Sequence, residues 1–249
     1  MKQSDAFMND LMNMGVCMLS NGAEVKRVED TLTRMGLAYG AERMDVFVIT
    51  SCIFVSMVLK DGRIVSQTRR IRKSGGTDFG KLEQLNELSR RYCAEPFSPQ
   101  ELSERGRAAS SQKKSLVKSI LGSLIGAGGF AVFFGGNLMD GLLAGLFGIL
   151  ICLLQRVIAP IAQNRMIENF LCSFVTGVLI CLACRVIPIA QADKIMIADI
   201  MLLIPGIAFT NSLRDLFSGD TISGLVRFME SLLLAVVIAL GFTLAGFLI

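Results

Sequence analysis

Residues Ser231–Ile249 read SLLLAVVIALGFTLAGFLI, a run of 19 positions without a charged side chain. A helix of about 20 mostly apolar residues crosses the hydrocarbon core of a bilayer, so this run predicts a membrane span. Extended upstream over Glu230 and Arg227, the span is Thr221–Ile249. Working back along the chain, four similar stretches appear: Ser119–Met139, Gly141–Ala159 with Arg156 at its edge, Phe170–Pro188 with Arg185 near its end, and Ile195–Thr210 with Asp199 inside it. The connections are short, which predicts an antiparallel bundle of about five spans.

The remaining sequence has another character. Of 25 Lys and Arg and 21 Asp and Glu, residues 1–118 hold 19 and 14; residues 119–249 hold 6 and 7. The polar, basic stretch Ser111–Lys118 (SQKKSLVK) separates the two. The expected organisation is therefore an α+β domain over residues 1–115 and a helical membrane domain over 116–249. At 52 % hydrophobic residues and a mean hydropathy of +0.56, a cytosolic enzyme is excluded. There is no His and no Trp, which removes His-dependent catalysis and His metal ligation. The seven Cys are expected to be reduced thiols rather than a disulfide or zinc framework. No metal, cofactor or nucleic acid is expected. The first 20 residues are interrupted by Asp5, Asn9, Asp10 and Asn13, unlike a cleavable signal peptide.

Lys113, Lys114 and Lys118 stand before the first span, the next loop has no Lys or Arg, and the loop after it has Arg156 and Arg165. This predicts a cytoplasmic N-terminus and, with an odd span count, an external C-terminus. Arg185 and Lys194 in the third loop run against that pattern. Gly122-x-x-x-Gly126 and Gly141-x-x-x-Gly145 have the spacing that lets helices approach closely.

In the first part, Phe7, Leu11, Met14 and Met18 recur at helical spacing over about Asp5–Leu19, and Asn21-Gly22 ends the helix. A second helix is expected over about Ala23–Tyr39. Asp45–Thr50 and Cys52–Leu59 are rich in Val, Ile and Phe and read as strands. Asp61-Gly62 is a hairpin turn leading into a third strand, Arg63–Arg72. After the break at Ser74-Gly75-Gly76, Asp78 can cap a helix running to about Tyr92, and Ser98-Pro99-Gln100-Glu101 opens another. Glu24 with Arg27, and Arg27 with Asp30, share a helix face. They read as a solvated ion-pair face or as a fixed charged contact to the membrane part. The basic run Arg69–Lys73 could meet phospholipid headgroups, although a solvated strand edge accounts for it as well.

The membrane half carries polar groups where they are costly. Asp199 lies inside a span, at an insertion cost of at least about 2.5 kcal/mol. Pro205-Gly206 interrupts the same span, and freed backbone groups at such a break can meet a polar ligand or an ion. Asn211, Arg214 and Asp215 follow at spacings of three and four, on one helical side; Asp220 comes next; Arg227 and Glu230 form an i, i+3 pair.

The run Pro205-Gly206…Asn211…Arg214-Asp215…Gly219-Asp220…Ser223-Gly224…Arg227…Glu230 resembles the signature of the threonine/serine exporter family. Gly22-Ala23-Glu24…Arg27-Val28-Glu29-Asp30 resembles the N-terminal motif of that family. So does Phe47–Ser56, followed by Thr68, Arg70, Asp78, Lys81 and Leu82. The resemblance covers nearly the whole chain. It implies a cytoplasmic domain followed by membrane helices in the cell membrane, acting in the export of small amino acids or of dicarboxylates such as succinate. Long members have about ten spans, so this chain resembles the N-terminal half of a split exporter, and a second, smaller membrane subunit is implied.

On this reading the chain is half of a secondary transporter. Arg214 or Arg227 pairs with a substrate carboxylate, and Asp199 or Asp215 serves an ammonium group or a coupling proton. The alternatives are a membrane-embedded aspartyl protease using Asp199 and Asp220, whose paired carboxylates would need to share a site, and a membrane sensor with a cytoplasmic domain. No nucleotide-phosphate loop supports an ATP-driven pump.

Overall fold

The computed structural model describes residues 3–71, 76–111, 115–162 and 164–248. Its elements, in chain order, are α1 (Gln3–Ser20), α2 (Val25–Tyr39), β1 (Ala41–Ile49), β2 (Cys52–Leu59), β3 (Ile64–Arg70), α3 (Phe79–Ala94), α4 (Pro99–Ser111), α5 (Leu116–Phe133), α6 (Leu138–Ile158), α7 (Arg165–Val186), α8 (Ala192–Leu203), α9 (Gly206–Phe217) and α10 (Thr221–Leu248). Helices α5, α6, α7 and α10 are long and apolar enough to cross a membrane, and α8 with α9 make a fifth if the broken pair is one span. The expected third strand and the turn after it reach Arg72, Lys73, Ser74 and Gly75, which lie outside the described residues, as do Lys113 and Lys114.

The chain divides into two compact units, Met1–Lys113 with Ile207–Met229, and Lys114–Gly206 with Glu230–Ile249. The first unit is built on a three-stranded antiparallel meander, β1-β2-β3. Alternation in β2 sends Ile53, Val55, Met57 and Leu59 to one face, all buried. Against that face pack α1 and α2, with Phe7, Leu11, Met18, Val25, Val28, Leu32 and Met35 fully buried at helical spacing. The Phe7 ring stacks on Tyr39 at 4.0 Å between centroids. The opposite sheet face leaves Phe47, Phe54 and Ile64 exposed, and Phe47, Phe54 and Thr68 form one row across the three strands.

Strand β1 starts four residues before the expected Asp45. Gly40, at φ 107°, closes α2, so the chain turns straight into an extended stretch whose Glu42 and Arg43 read as loop. The basic run is divided by the sheet: Arg69 bonds Asn13 and Asn9 of α1, whereas Arg70 is exposed.

The second unit packs α5, α6, α7 and α8 together with the apolar part of α10. Helix α5 ends at Phe133, six residues before the expected Met139, and Gly135 turns the chain just beyond its cap at φ 85°. Helix α6 starts earlier than expected because Asn137 and Asp140 form a reciprocal capping box. Helix α10 has 28 residues, about 42 Å at 1.5 Å per residue, more than the hydrocarbon core of about 30 Å needs. The division between units, after Met229, falls where its charge-free run begins. Cys181 and Cys184 stand three apart on α7, and both are free thiols.

The small-residue spacing works in only one of its two places. A Cβ on Gly145 would lie 2.7 Å from Leu124 Cδ1, and one on Gly148 would lie 2.8 Å from the Ser123 carbonyl oxygen, so α5 and α6 touch backbone to backbone along this stripe. Gly122, expected to do the same, faces open space, and Gly126 makes only an ordinary contact with Leu202. Gly148→Ala is therefore expected to destabilise by about 1–3 kcal/mol through overpacking. Gly122→Ala should be neutral or mildly stabilising, because alanine is the better helix former. Thermal aggregation followed by size-exclusion chromatography in detergent separates the two.

Candidate functional site

Two sequence motifs nearly 200 residues apart meet in the first unit. The N-terminal one is the turn between α1 and α2. Gly22 adopts φ 91°, and a Cβ there would lie 3.0 Å from Thr77 Oγ1; glycine is required twice over. On that side the Asp78 amide donates to the Asn21 carbonyl (3.1 Å), while the Asp78 side chain caps α3 by accepting from the Lys81 amide (3.2 Å). The other side of the turn faces α9 and the first turns of α10.

Three positions on α9 engage the turn in order. Asn211 Nδ2 donates to the Gly22 carbonyl (3.1 Å), Arg214 forms an ion pair with Glu24, and the Val25 amide donates to Asp215 Oδ1 (3.3 Å). The spacing of three and four that places 211, 214 and 215 on one side of a helix is what allows this. Glu24 is the N-cap residue of α2 but makes no side-chain capping bond. A carboxylate from another element meets one of the amides that a helix start leaves unpaired, and its charge is favourable there. Asp215 Oδ2 in turn accepts from Arg227 Nη1 (3.0 Å), and Arg227 Nη2 donates to the Ala23 carbonyl (3.1 Å).

The α9–α10 hairpin can deliver these groups because the helices lie close. A Cβ on Gly224 would lie 2.8 Å from the Leu216 amide nitrogen and 2.9 Å from the Ser212 carbonyl oxygen. Gly219 turns the chain at φ 93°. Asp220 closes α9 through its amide to the Asp215 carbonyl (3.0 Å) and starts α10 by accepting from the Gly224 amide (2.8 Å).

Several expected pairings are corrected. Arg227 bonds Asp215 and, among the described residues, makes no ion pair with Glu230, which is exposed. Glu24 reaches Arg214 instead of Arg27. Arg27 and Asp30 are exposed and form no ion pair with each other among the described residues. An i, i+3 pairing along one helix is worth only about 0.2–0.5 kcal/mol, so it yields readily to a partner on another helix: the buried Asp215 for Arg227 and the exposed Arg214 for Glu24. Thr68 and Arg70 lie exposed on β3 and do not join the cluster.

Glu29 has a different task. Its Oε1 accepts from the Val48 amide (2.8 Å), tying α2 to β1. Burial raises its carboxyl above the usual range, the Val48 bond opposes this, and the charges of Asp220 and Asp30 add to the rise. A raised acid stabilises the folded state while protonated, and that stability fades as pH rises through the folded value. Glu29→Gln keeps an acceptor for Val48 and removes the charge. Its melting temperature is expected to exceed that of the parent at pH 7–8, with the difference vanishing toward pH 4.

In the second unit Asp199 is fully buried near the end of α8, beside Ile195, Ala198 and Leu203 in the apolar core. Neither of its carboxyl oxygens has a hydrogen-bond partner among the described residues, and Thr176 Oγ1 on α7 is likewise unpaired. Four residues after Asp199 the helix ends at Leu203: Ile204 caps α8, and the Gly206 amide donates to the Ile204 carbonyl (2.9 Å) across Pro205. Asp140, also fully buried, was hidden between two expected spans. Unlike Asp199 it is satisfied, accepting from the Asn137 amide (2.8 Å) and the Gln191 amide (2.7 Å), while Asn137 Nδ2 donates to the Ile189 carbonyl (2.9 Å). It clasps the α5–α6 turn to the α7–α8 turn. The Asn137-x-x-Asp140 spacing was its available sequence signal.

Comparison with known proteins gives a family. The sequence model described as "Putative threonine/serine exporter" matches residues 10–248. The chain is similar to the "Probable succinate transporter subunit YjjP" of Klebsiella aerogenes, with 21 % identity over 230 residues, covering 92 % of this chain and 88 % of that one. No solved structure matches.

Proposed function

Because this chain belongs to the threonine/serine exporter family, a family of multi-pass membrane exporters, we propose that it is one subunit of a secondary transporter. It exports small amino acids such as threonine and serine, or dicarboxylates such as succinate, together with a second, smaller membrane subunit. Residues 1–115 form its cytoplasmic α+β domain and 116–249 its membrane domain, in the cell membrane. The relative named as a transporter subunit supports both the partner and the dicarboxylate option.

The observation that carries the reading is Asp199. An isolated carboxylate in an apolar core is so costly that a proton or a cationic group must meet it. It sits on a helix of 12 residues, about 18 Å long, which stops at Pro205. A half-helix ending inside a bundle of spans is the arrangement in which transporters place substrate and coupling-ion sites. We assign Asp199 to the coupling proton or the substrate ammonium, with Pro205 and Gly206 freeing backbone groups beside the path. Asn211, Arg214, Asp215, Asp220 and Arg227 with Gly22 and Glu24 form the joint that fixes the start of α2 to the α9–α10 hairpin.

The test is efflux of labelled threonine, serine and succinate from cells expressing this chain alone, only a small membrane protein encoded beside it, and both. Export is expected only with both. Export of none of the three substrates by the pair refutes the substrate assignment, and full export by this chain alone refutes the split-subunit reading.

A further inference from the structure

The first unit holds a second polar feature that shares no residue with the cluster around Asp215. Helices α1, α3 and α4 line a pocket of about 150 Å³ that opens to solvent where Asn13 and Arg107 are exposed. Leu85 and Leu102 give it an apolar floor, and Asp10, Asn13, Ser103 and Arg107 give it polar walls. Asp10 accepts a hydrogen bond from the Ser103 hydroxyl and feels the Arg107 charge, yet burial outweighs both and holds its carboxyl above the usual range. Asn13 Oδ1 is occupied by Arg69 Nη1 (2.9 Å), which leaves the NH2 group of Asn13 as its available donor. One acid and one base on the walls make a site of no net charge and two opposite poles.

We propose that this cavity binds a free small α-amino acid in its zwitterionic form, with the ammonium on Asp10 and the carboxylate on Arg107. Size agrees. An apolar cavity of about this volume accommodates benzene, so there is room for alanine, serine or threonine, whereas a polar-walled cavity is not one that stays dry. Charge selects further: a dicarboxylate would bring its second anion against Asp10. This inference goes beyond the export reading, because it gives the soluble helices a ligand of their own, and it holds whether or not Asp199 serves transport.

Equilibrium dialysis of labelled serine and threonine against the purified full-length protein tests it. The protein carries Asp199→Asn, so that the outcome does not depend on the transport assignment. Saturable binding is expected, weakened about tenfold or more by Arg107→Gln or Asp10→Asn, since each removes one charged hydrogen bond. Gly106 lies on the same face of α4, and a Cβ there meets nothing within 4 Å. Gly106→Leu fills the space with a better helix former, its fold is checked by circular dichroism, and it should abolish binding. Excess succinate should not displace the amino acid. Absence of saturable binding up to about 10 mM, meaning a cavity that holds water only, overturns the proposal. So does unchanged affinity in Gly106→Leu, or displacement by succinate.

Discussion

Asp199→Asn is expected to leave the protein in the membrane at parental abundance and to reduce export by about tenfold or more. The exchange keeps shape and volume. It replaces a buried group whose two oxygens lack partners among the described residues with a neutral amide that also lacks them, so the folded state gains nothing and loses little. What disappears is the ability to exchange a proton or to meet a cation, and a hydrogen bond to a charged group is worth about 1.5–3 kcal/mol, roughly one to two decades in affinity or rate. The companion variant Asp199→Leu sharpens the contrast. An orphaned polar group replaced by a hydrocarbon of similar size should raise thermal stability while export is lost. Parental export by Asp199→Asn at parental abundance would return Asp199 to a purely structural role.

The contrast with Asp140 shows why this residue stands out. Both are fully buried aspartates of the second unit. Asp140 has its two oxygens filled by backbone amides, which is how a structural carboxylate is normally accommodated. Asp199 is the case that structure alone leaves unexplained.

Much of this fold was legible because its signals are local. The β2 alternation, the Asp61-Gly62 turn, the cap at Asp78 and the four long apolar runs each depend on neighbours within one or two turns. Span ends were missed where a local rule competed with hydropathy. Gly135 stops α5 although Leu138 and Met139 continue the apolar run, and Asn137 with Asp140 starts α6 inside what hydropathy assigns to the end of the first span. The motif residues of the site were visible as motifs, and their joining was not. Glu24, Arg27 and Asp30 present a plausible ladder along their own helix, and so do Arg227 and Glu230. Only the tertiary structure reveals that Glu24 and Arg227 turn to partners about 190 and 12 residues away. Long-range pairing of charges carries no sequence periodicity, so spacing alone defaults to the neighbour on the same helix.

That pairing makes the largest expected stability effect at Asp215 and Arg227. Their side chains are 1 % and 14 % exposed, whereas Arg214 and Glu24 are 60 % and 22 % exposed. Breaking a buried pair by removing one member leaves the other charge uncompensated, at about 3–5 kcal/mol; an exposed pair is worth about 0–1 kcal/mol. Asp215→Ala also strips the Val25 amide of its acceptor and leaves the start of α2 without the charge that favours it. Asp215→Ala and Arg227→Leu are each expected to lose most of the melting stability of the first unit, and Arg214→Ala very little. The double variant Asp215→Ala with Arg227→Leu should cost clearly less than the two single losses added together, because neither charge is then left alone. Exchanging the neighbours, Arg214→Asp with Asp215→Arg, would drive an arginine into the buried position beside Arg227, so it should fail to fold and says nothing about substrate. Melting of the purified variants in detergent, read as a double-mutant cycle, decides the matter. Additive losses would mean that the pair is not coupled and that the two motifs are held together by the surrounding packing instead.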